Sequence, residues 1–318
     1  MKATFIKNLN KEEAQYFRKS SLFEKISQNW ATTDSFIEYN CEYFGTNYID
    51  YSIVVFERDV FYIGMYCFSN DQNISFFGQP VTVYNIEYYS PKLLLAFQVF
   101  LQKISELKLE GGFTYLYCFT TPMVLSSFFN ALLSSAIEVE AFVDLNQTED
   151  LIRTNVRKSF KSLINWGITN LKMVIINKSN PNKEIFDSFK HFHVKVSGRQ
   201  TRSDYSWELQ FKAIKNERAY LILGYYMGEL VSGAYNLYGS DVAYYGVAVN
   251  DRELMAKNLP IGHAVLFKSI LYAKEIGLKK FILGTIEKTS DIKINDILKY
   301  KKGFTNTLES KIKHLIQL

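Results

Sequence analysis

Proline, cysteine and histidine are scarce in this chain, numbering 5, 3 and 4 among its 318 residues. The three cysteines, Cys41, Cys67 and Cys118, stand far apart, form no C-x-x-C pair and are odd in number. That excludes the disulfide framework of a small secreted domain. Four scattered histidines with no cysteine pair beside them argue against a structural zinc site, so no metal is expected. No run of about 18 apolar residues occurs, so no transmembrane helix and no stable membrane insertion are expected. The opening stretch MKATFIKNLNKEEAQ turns polar at once and lacks the apolar core of a secretion signal. Together these absences predict a reducing, cytoplasmic setting. Low-complexity segments and short repeats are also missing.

Apolar and aromatic residues are plentiful. Hydrophobic residues make up 47% of the chain, with 25 Phe and 22 Tyr. Such a chain buries a large core and is not disordered. Its length exceeds what one core usually supports, so two domains are expected. Charge divides along the same line. Residues 1–150 carry 10 Lys and Arg against 18 Asp and Glu, a net −8, whereas residues 151–318 carry 27 against 14, a net +13. A basic half implies an anionic partner, such as phosphates, a nucleotide-linked substrate, CoA or tRNA. Solvent-facing lysines would give the same excess.

In the first half, Tyr51–Phe56 and Val60–Phe68 read as strands around the turn Glu57-Arg58-Asp59. Ile74–Phe77 is a candidate third strand. Pro91–Leu107 has apolar residues at helical spacing and stops before Gly111-Gly112. Thr114–Phe119 (strand), Pro122–Leu133 (helix) and Glu138–Leu145 (strand) follow. A helix over Glu149–Trp166, with Thr148 or Asn146 as N-cap, then opens the second half. The boundary falls just before it, dividing the chain into 1–149 and 150–318. Beyond it come a strand at Leu171–Ile176 and helices at Lys183–Val196 and Tyr205–Lys215. Three strands in a meander follow, Ala219–Gly224, Glu229–Tyr238 and Asp241–Val249. A helix at His263–Ile276 stopped by Gly277, a strand at Lys280–Leu283 and a last strand at Lys311–Gln317 complete the order.

Four segments carry a resemblance. The first is Val143-Asp144-Leu145-Asn146 followed by a basic helix with Arg153, Arg157, Lys158 and Lys161. The second is Phe192-His193 with Gly198-Arg199, Arg202-Ser203 and Trp207. The third is Ala243-Tyr244-Tyr245 with Asp251-Arg252 and Pro260-Ile261-Gly262-His263. The fourth is Tyr300-Lys301-Lys302-Gly303-Phe304. In order and spacing they resemble the FemAB/FemX family, the last segment being similar to its terminal FKxGF signature. The resemblance covers most of residues 140–318. It implies an α/β (α+β) chain of two GNAT-like domains, each a mixed, mainly antiparallel sheet flanked by helices, with a degenerate first copy. No inserted helical hairpin of heptad character is present, a departure from the staphylococcal-type members.

The resemblance implies a site in the second half. Gly262, His263 and Ala264 open a helix where GNAT folds hold a CoA pyrophosphate on backbone N–H groups. The first position of the usual pattern is Leu259 here, and Arg252 or Lys257 could supply the missing charge. A plain loop-to-helix start would read alike. Arg199 and Arg202, in a polar loop with Trp207 just beyond, suit a phosphate or carboxylate of the acceptor. Lys301 and Lys302 could reach a diphosphate as point charges, or lie on a charged surface turn. Tyr244 or Tyr245 could act on the reacting groups, but strand alternation lets only one of them face the groove. His193 and His263 are the histidines of these segments, His193 being a candidate base; core packing is the alternative for both.

The expected activity is that of an acyl- or aminoacyltransferase. It moves an acyl group from a thioester or ester donor to an amine of an anionic acceptor, a nucleotide- or lipid-linked cell-envelope precursor of the peptidoglycan type. The missing hairpin favours acyl-CoA or acyl carrier protein over aminoacyl-tRNA as donor. The rival is a non-catalytic RNA- or partner-binding protein that keeps the fold, marked by salt-dependent RNA binding without any effect of CoA.

Overall fold

The computed structural model describes residues 1–45, 48–69, 74–77, 81–86, 91–106, 113–118, 132–286 and 290–317. In chain order the elements are β1 (Lys2–Phe5), α1 (Lys11–Lys19), α2 (Ser21–Ser27), α3 (Asp34–Tyr43), β2 (Ile49–Asp50), β3 (Ile53–Glu57), β4 (Val60–Met65), β5 (Phe68–Ser69), β6 (Ile74–Ser75), β7 (Val81–Asn85), α4 (Pro91–Ser105) and β8 (Phe113–Cys118). Then come β9 (Leu132–Asp144), α5 (Glu149–Asn155), α6 (Lys158–Asn170), β10 (Lys172–Ile176), α7 (Lys183–Ser197), α8 (Asp204–Lys215), β11 (Ala219–Tyr226), β12 (Glu229–Tyr238), β13 (Val242–Asn250), α9 (Arg252–Ala256), α10 (Ile261–Glu275), β14 (Lys280–Thr285), α11 (Ile292–Lys302) and β15 (Thr307–Gln317).

Two compact units form. Unit 1 is Met1–Gln28, Phe44–Glu138 and Ser310–Leu318; unit 2 is Asn29–Tyr43 and Val139–Glu309. A single cut near residue 150 therefore describes neither unit, because residues 29–43 and 310–318 each sit with the other stretch of chain. In unit 1, β1, β3, β4 and β7 pair antiparallel in that order, β7 pairs β8 in parallel, and β8 pairs β15 antiparallel. A small second sheet joins β2, β5 and β6. Fully buried Leu22 and Ile26 of α2 and Phe97 and Phe100 of α4 share a core with Val55, Phe61 and Ile63. Each such side chain contributes about 1.5–3 kcal/mol on burial. The helix expected at Pro122–Leu133 lies outside the described residues up to 131, and Leu132 and Leu133 belong to β9.

Unit 2 is built on six strands. Strands β10 to β13 run antiparallel in sequence order, β13 pairs β14 in parallel, and β14 pairs β9 antiparallel. One face packs on α6 and α10 around Val265, Ile270 and Phe281. The other packs on α7 and α8 around Phe186, Phe189 and Trp207. Helix α3 docks on α8 through Lys212 Nζ to Glu38 at 2.8 Å.

The helix expected at Glu149–Trp166 is two. Thr148 caps the first, its hydroxyl accepting from the Leu151 N–H at 3.3 Å, with Glu149 and Asp150 complementing the dipole. Val156 is extended, and the Arg157 N–H donates to the Gly303 carbonyl at 2.9 Å instead of continuing the helix. Among the described residues no helix is long and apolar enough to cross a membrane, and no group of three or more His, Cys, Asp or Glu could hold a metal ion.

Candidate active site

The parallel strands of unit 2 pair over three residues only, Val242, Ala243 and Tyr244 against Lys280, Phe281 and Ile282. Both strands then become irregular. On β13, Gly246 is an extra residue opposite Tyr235 and Asn236 of β12, and a side chain there would press on the Tyr235 carbonyl at 3.1 Å. On β14, the register against β9 shifts between Ile282 and Gly284. Bulges of this kind re-aim neighbouring side chains.

Gly284 is the focus of the gap. Its φ of +106° is one that residues with a Cβ rarely adopt. A Cβ there would lie 3.0 Å from Lys301 Nζ and 3.9 Å from Tyr244 Oη, so the amine and the phenol converge on one point. Glu140 of β9 pairs with Thr285, one residue on, and is 8% exposed. Burial holds the Lys301 ammonium below its usual range, and the Glu140 carboxylate opposes that shift. Burial raises the Tyr244 phenol, and Glu140 adds to the rise. A carboxylate, a lysine and a tyrosine thus share one low-dielectric site.

Aromatic packing positions Lys301. Gly303, just past the end of α11, meets the Phe160 ring so closely that any Cβ would collide with it. Tyr300 and Phe304 close on the same ring, at 6.0 and 5.4 Å between centroids. The Tyr300 hydroxyl donates to the Gly262 carbonyl at 3.0 Å, tying α11 to the first turn of α10. His263 stands edge-on to Phe160 at 4.6 Å, and burial lowers its imidazole pKa to about 4. Its ring packs among Phe160, Tyr300 and Phe304. Ala264 is 1% exposed against Gly167, so its backbone alone faces the helix start.

That helix start has free donors. Pro260 caps α10 without a side-chain hydrogen bond, and among the described residues the N–H groups of Ile261 and Gly262 have no acceptor. They fit an anionic group such as a diphosphate. Arg252 and Lys257 are exposed on and just after α9. The Asn250 amide crowds Gly262, where a Cβ would meet its Oδ1 at 2.8 Å.

Tyr244 also walls a pocket of about 260 Å³ on the same face of the sheet. Trp30 stacks on it at 4.2 Å and 15°. Phe36, Tyr39, Asn40 and Tyr43 of α3 line the pocket beside Gln210 and Arg202. The Arg202 Nε donates to Tyr39 Oη at 2.9 Å, and its guanidinium lies 5.6 Å from the Tyr43 ring and 5.3 Å from Trp207. Trp207, 1% exposed, belongs to the core and packs against Arg202. His193 Nε2 is 3.3 Å from Arg202 Nη1; burial first and that cation second lower its pKa to about 4, far from a base poised at neutral pH.

The sequence-predicted residues thus separate. Tyr244, Lys301, Arg202 and Gly262 belong to the gap, its pocket and the helix start. Tyr245 faces the opposite core with its phenol pushed up by burial. Arg199 and Lys302 are exposed and outside the pocket. Trp30, Tyr39 and Glu140 are additions. The aromatic spacing of Phe36, Tyr39 and Tyr43 signals a helix face, whereas nothing local marks Glu140.

No protein-family model matches the sequence, and no curated protein matches it significantly. Solved structures do. FemX aligns over 100% of this chain and 98% of its own, with a TM-score of 0.67 at 10% identity. L-PGS from Bacillus licheniformis aligns over 96% and 91%, with a TM-score of 0.57 at 12% identity. A tandem GNAT protein from the clavulanic acid biosynthesis pathway aligns over 99% and 96%, with a TM-score of 0.50 at 10% identity. At the level of the fold, the FemAB/FemX resemblance expected from the four segments holds, and this chain has a tandem GNAT-like fold similar over its full length to FemX.

Proposed function

We propose that this protein is an acyl- or aminoacyltransferase that acylates an amine of an anionic acceptor, a nucleotide- or lipid-linked cell-envelope precursor. The observation that carries the reading is the convergence of Lys301 and Tyr244 on Gly284, where β13 and β14 part, with the Glu140 carboxylate close enough to act on both. Chemistry is assigned to unit 2, with its stretches Asn29–Tyr43 and Val139–Glu309, and unit 1 is read as the degenerate copy.

The acyl donor, when bound, supplies an activated carbonyl. The free N–H groups of Ile261 and Gly262, with Arg252 and Lys257 nearby, suit its anionic portion. Arg202, with one positive charge in the pocket, suits the acceptor's anionic group. Lys301 and Tyr244 offer cationic and hydroxyl donors to negative charge developing on the attacked oxygen. Such donors count for more in a site shielded from water. Glu140 can take up the proton that the attacking amine must lose. His193 holds Arg202 in place and is not the base in this reading.

Thermal melting of the full chain with acetyl-CoA, and separately with a UDP-linked cell-wall precursor, tests the proposal. A ligand at about 100 times its dissociation constant stabilises the folded state by about 2.7 kcal/mol. A shift with acetyl-CoA that is lost in Gly262→Trp supports a CoA donor. A shift with the precursor alone supports an aminoacyl-tRNA or carrier-protein donor. Absence of both shifts, together with salt-dependent RNA binding, would replace the proposal with the RNA-binding alternative.

A further inference from the structure

Two side chains of the pocket beside Tyr244, Arg202 and Gln210, keep hydrogen-bonding capacity that no described residue uses. Arginine has five N–H donors. In Arg202, Nε donates to Tyr39 Oη at 2.9 Å, Nη1 donates to Thr201 Oγ1 at 3.0 Å, and the same nitrogen lies 3.3 Å from His193 Nε2. Three donors are committed, and the two on Nη2 have no partner among the described residues. Nor does any carboxylate there lie within salt-bridge distance of the guanidinium. The second group is Gln210. It is 3% exposed and lines the pocket, and its Oε1 is buried with no hydrogen-bond partner. Its amide also bears on the Tyr39 oxygen, so Arg202 and Gln210 flank a single phenol. A buried amide oxygen without a partner costs about 1–3 kcal/mol, so something outside the chain is expected to meet it.

We propose that this pocket binds a carboxylate with an N–H donor beside it, the group found at the carboxyl end of an amino acid or a peptide. The carboxylate meets Arg202 Nη2 and the N–H meets Gln210 Oε1. Among the described residues that line the pocket Arg202 is the one cation, which neutralises a monoanion and would leave a phosphate dianion uncompensated in a half-buried site. A phosphodiester is also a monoanion, but it brings no N–H donor beside its oxygens for Gln210 Oε1, so the two groups together select the carboxylate. Size agrees as well. At roughly 30 Å³ per water, 260 Å³ accommodates a group of about eight heavy atoms, the scale of one amino-acid residue. The stacked Trp30–Tyr244 pair and the Tyr39–Tyr43 pair supply apolar walls for its side chain. The inference deepens the transferase reading, on which it rests only in taking this group as part of the acceptor.

Calorimetric titration of the full chain with N-acetyl-L-alanine, L-alanine, N-acetyl-L-alaninamide and inorganic phosphate tests it. One of the two carboxylates is expected to bind at least about tenfold more tightly than the carboxamide, which lacks the charge Arg202 meets. Preference for N-acetyl-L-alanine identifies a peptide terminus, and preference for L-alanine a free amino acid. Gln210→Leu should weaken the preferred probe about tenfold while the melting temperature holds or rises, because it removes an unsatisfied buried oxygen. Equal binding of acid and carboxamide, binding of phosphate alone, binding unchanged in Gln210→Leu, or no binding of either carboxylate would overturn the proposal. The two readings fail differently. Transfer to acceptors lacking a carboxylate removes this inference and leaves the transferase. Carboxylate binding without transfer from any acyl donor does the reverse.

Discussion

In the proposed reaction Lys301 is the residue on which the chemistry turns. It is a half-buried amine facing a phenol across Gly284, with a buried carboxylate influencing both. Replacing it with methionine keeps the stem and removes the charge. Lys301→Met is expected to lower kcat about 10²–10³-fold, the usual cost of removing one preorganised donor. The melting temperature should hold, since a desolvated ammonium contributes little to stability. Steady-state kinetics and calorimetry check both parts. The two buried imidazoles make a separate prediction about acid. His193 and His263 have folded-state pKa values of about 4, below the 6.5 of a free side chain. Between those values the unfolded chain binds more protons than the folded one. Their stabilising contribution is therefore complete above pH 6.5 and is lost as pH falls toward 4. His193→Gln and His263→Gln should each flatten the slope of stability against pH in that window, as followed by denaturant unfolding. The sequence pairs Tyr244 with Tyr245 and allows one of them to face the site. Which one does so depends on the register of β13, and the bulge at Gly246 is legible only once its partner strand is in place.

At the scale of elements, the end of α11 is held by one steric fit. Gly303 has an ordinary helical φ of −71°, so the glycine is required by the Phe160 ring and not by backbone strain. Gly303→Ala is expected to destabilise unit 2 by about 1–3 kcal/mol, the range for overpacking a filled core, and to reduce activity by displacing Lys301. Phe160→Leu in the same chain should recover most of the stability; unfolding of both variants measures this. The fit also explains what could be read from sequence. The meander β11–β13, the helices α7, α8 and α10 and the strand β14 follow from alternation, helical spacing and glycine stops. The break at Val156-Arg157 does not, because a tertiary hydrogen bond to Gly303 creates it against a continuous helical pattern. Residues 1–45 hold α1, α2 and α3, for which the motifs give no expectation. Arg202 is marked by its polar loop, but its partners Tyr39 and Gln210 are distant in sequence and are united only by the docking of α3 on α8.

For the whole molecule, chain order and unit membership do not coincide. Unit 2 includes Asn29–Tyr43, and with them the Trp30 and Tyr39 walls of the pocket. A fragment spanning residues 139–309 should therefore melt well below the intact protein. A peptide of residues 29–43 added in trans should restore part of the difference, as monitored by thermal unfolding and Trp30 fluorescence. Equal melting of fragment and intact chain would mean that α3 adds nothing to unit 2. The converse exchange bears on biosynthesis. Ser310–Leu318 belongs to unit 1, where β15 covers the edge of β8. On the ribosome, β8 is made some two hundred residues before its neighbour, so the nascent chain carries an open strand edge while residues 119–306 are made. The sheet of unit 1 is completed by β15 only after residues 139–309 of unit 2 have been made, and a stalled or truncated translation product would expose a β-edge suited to capture by chaperones or by another unfinished copy.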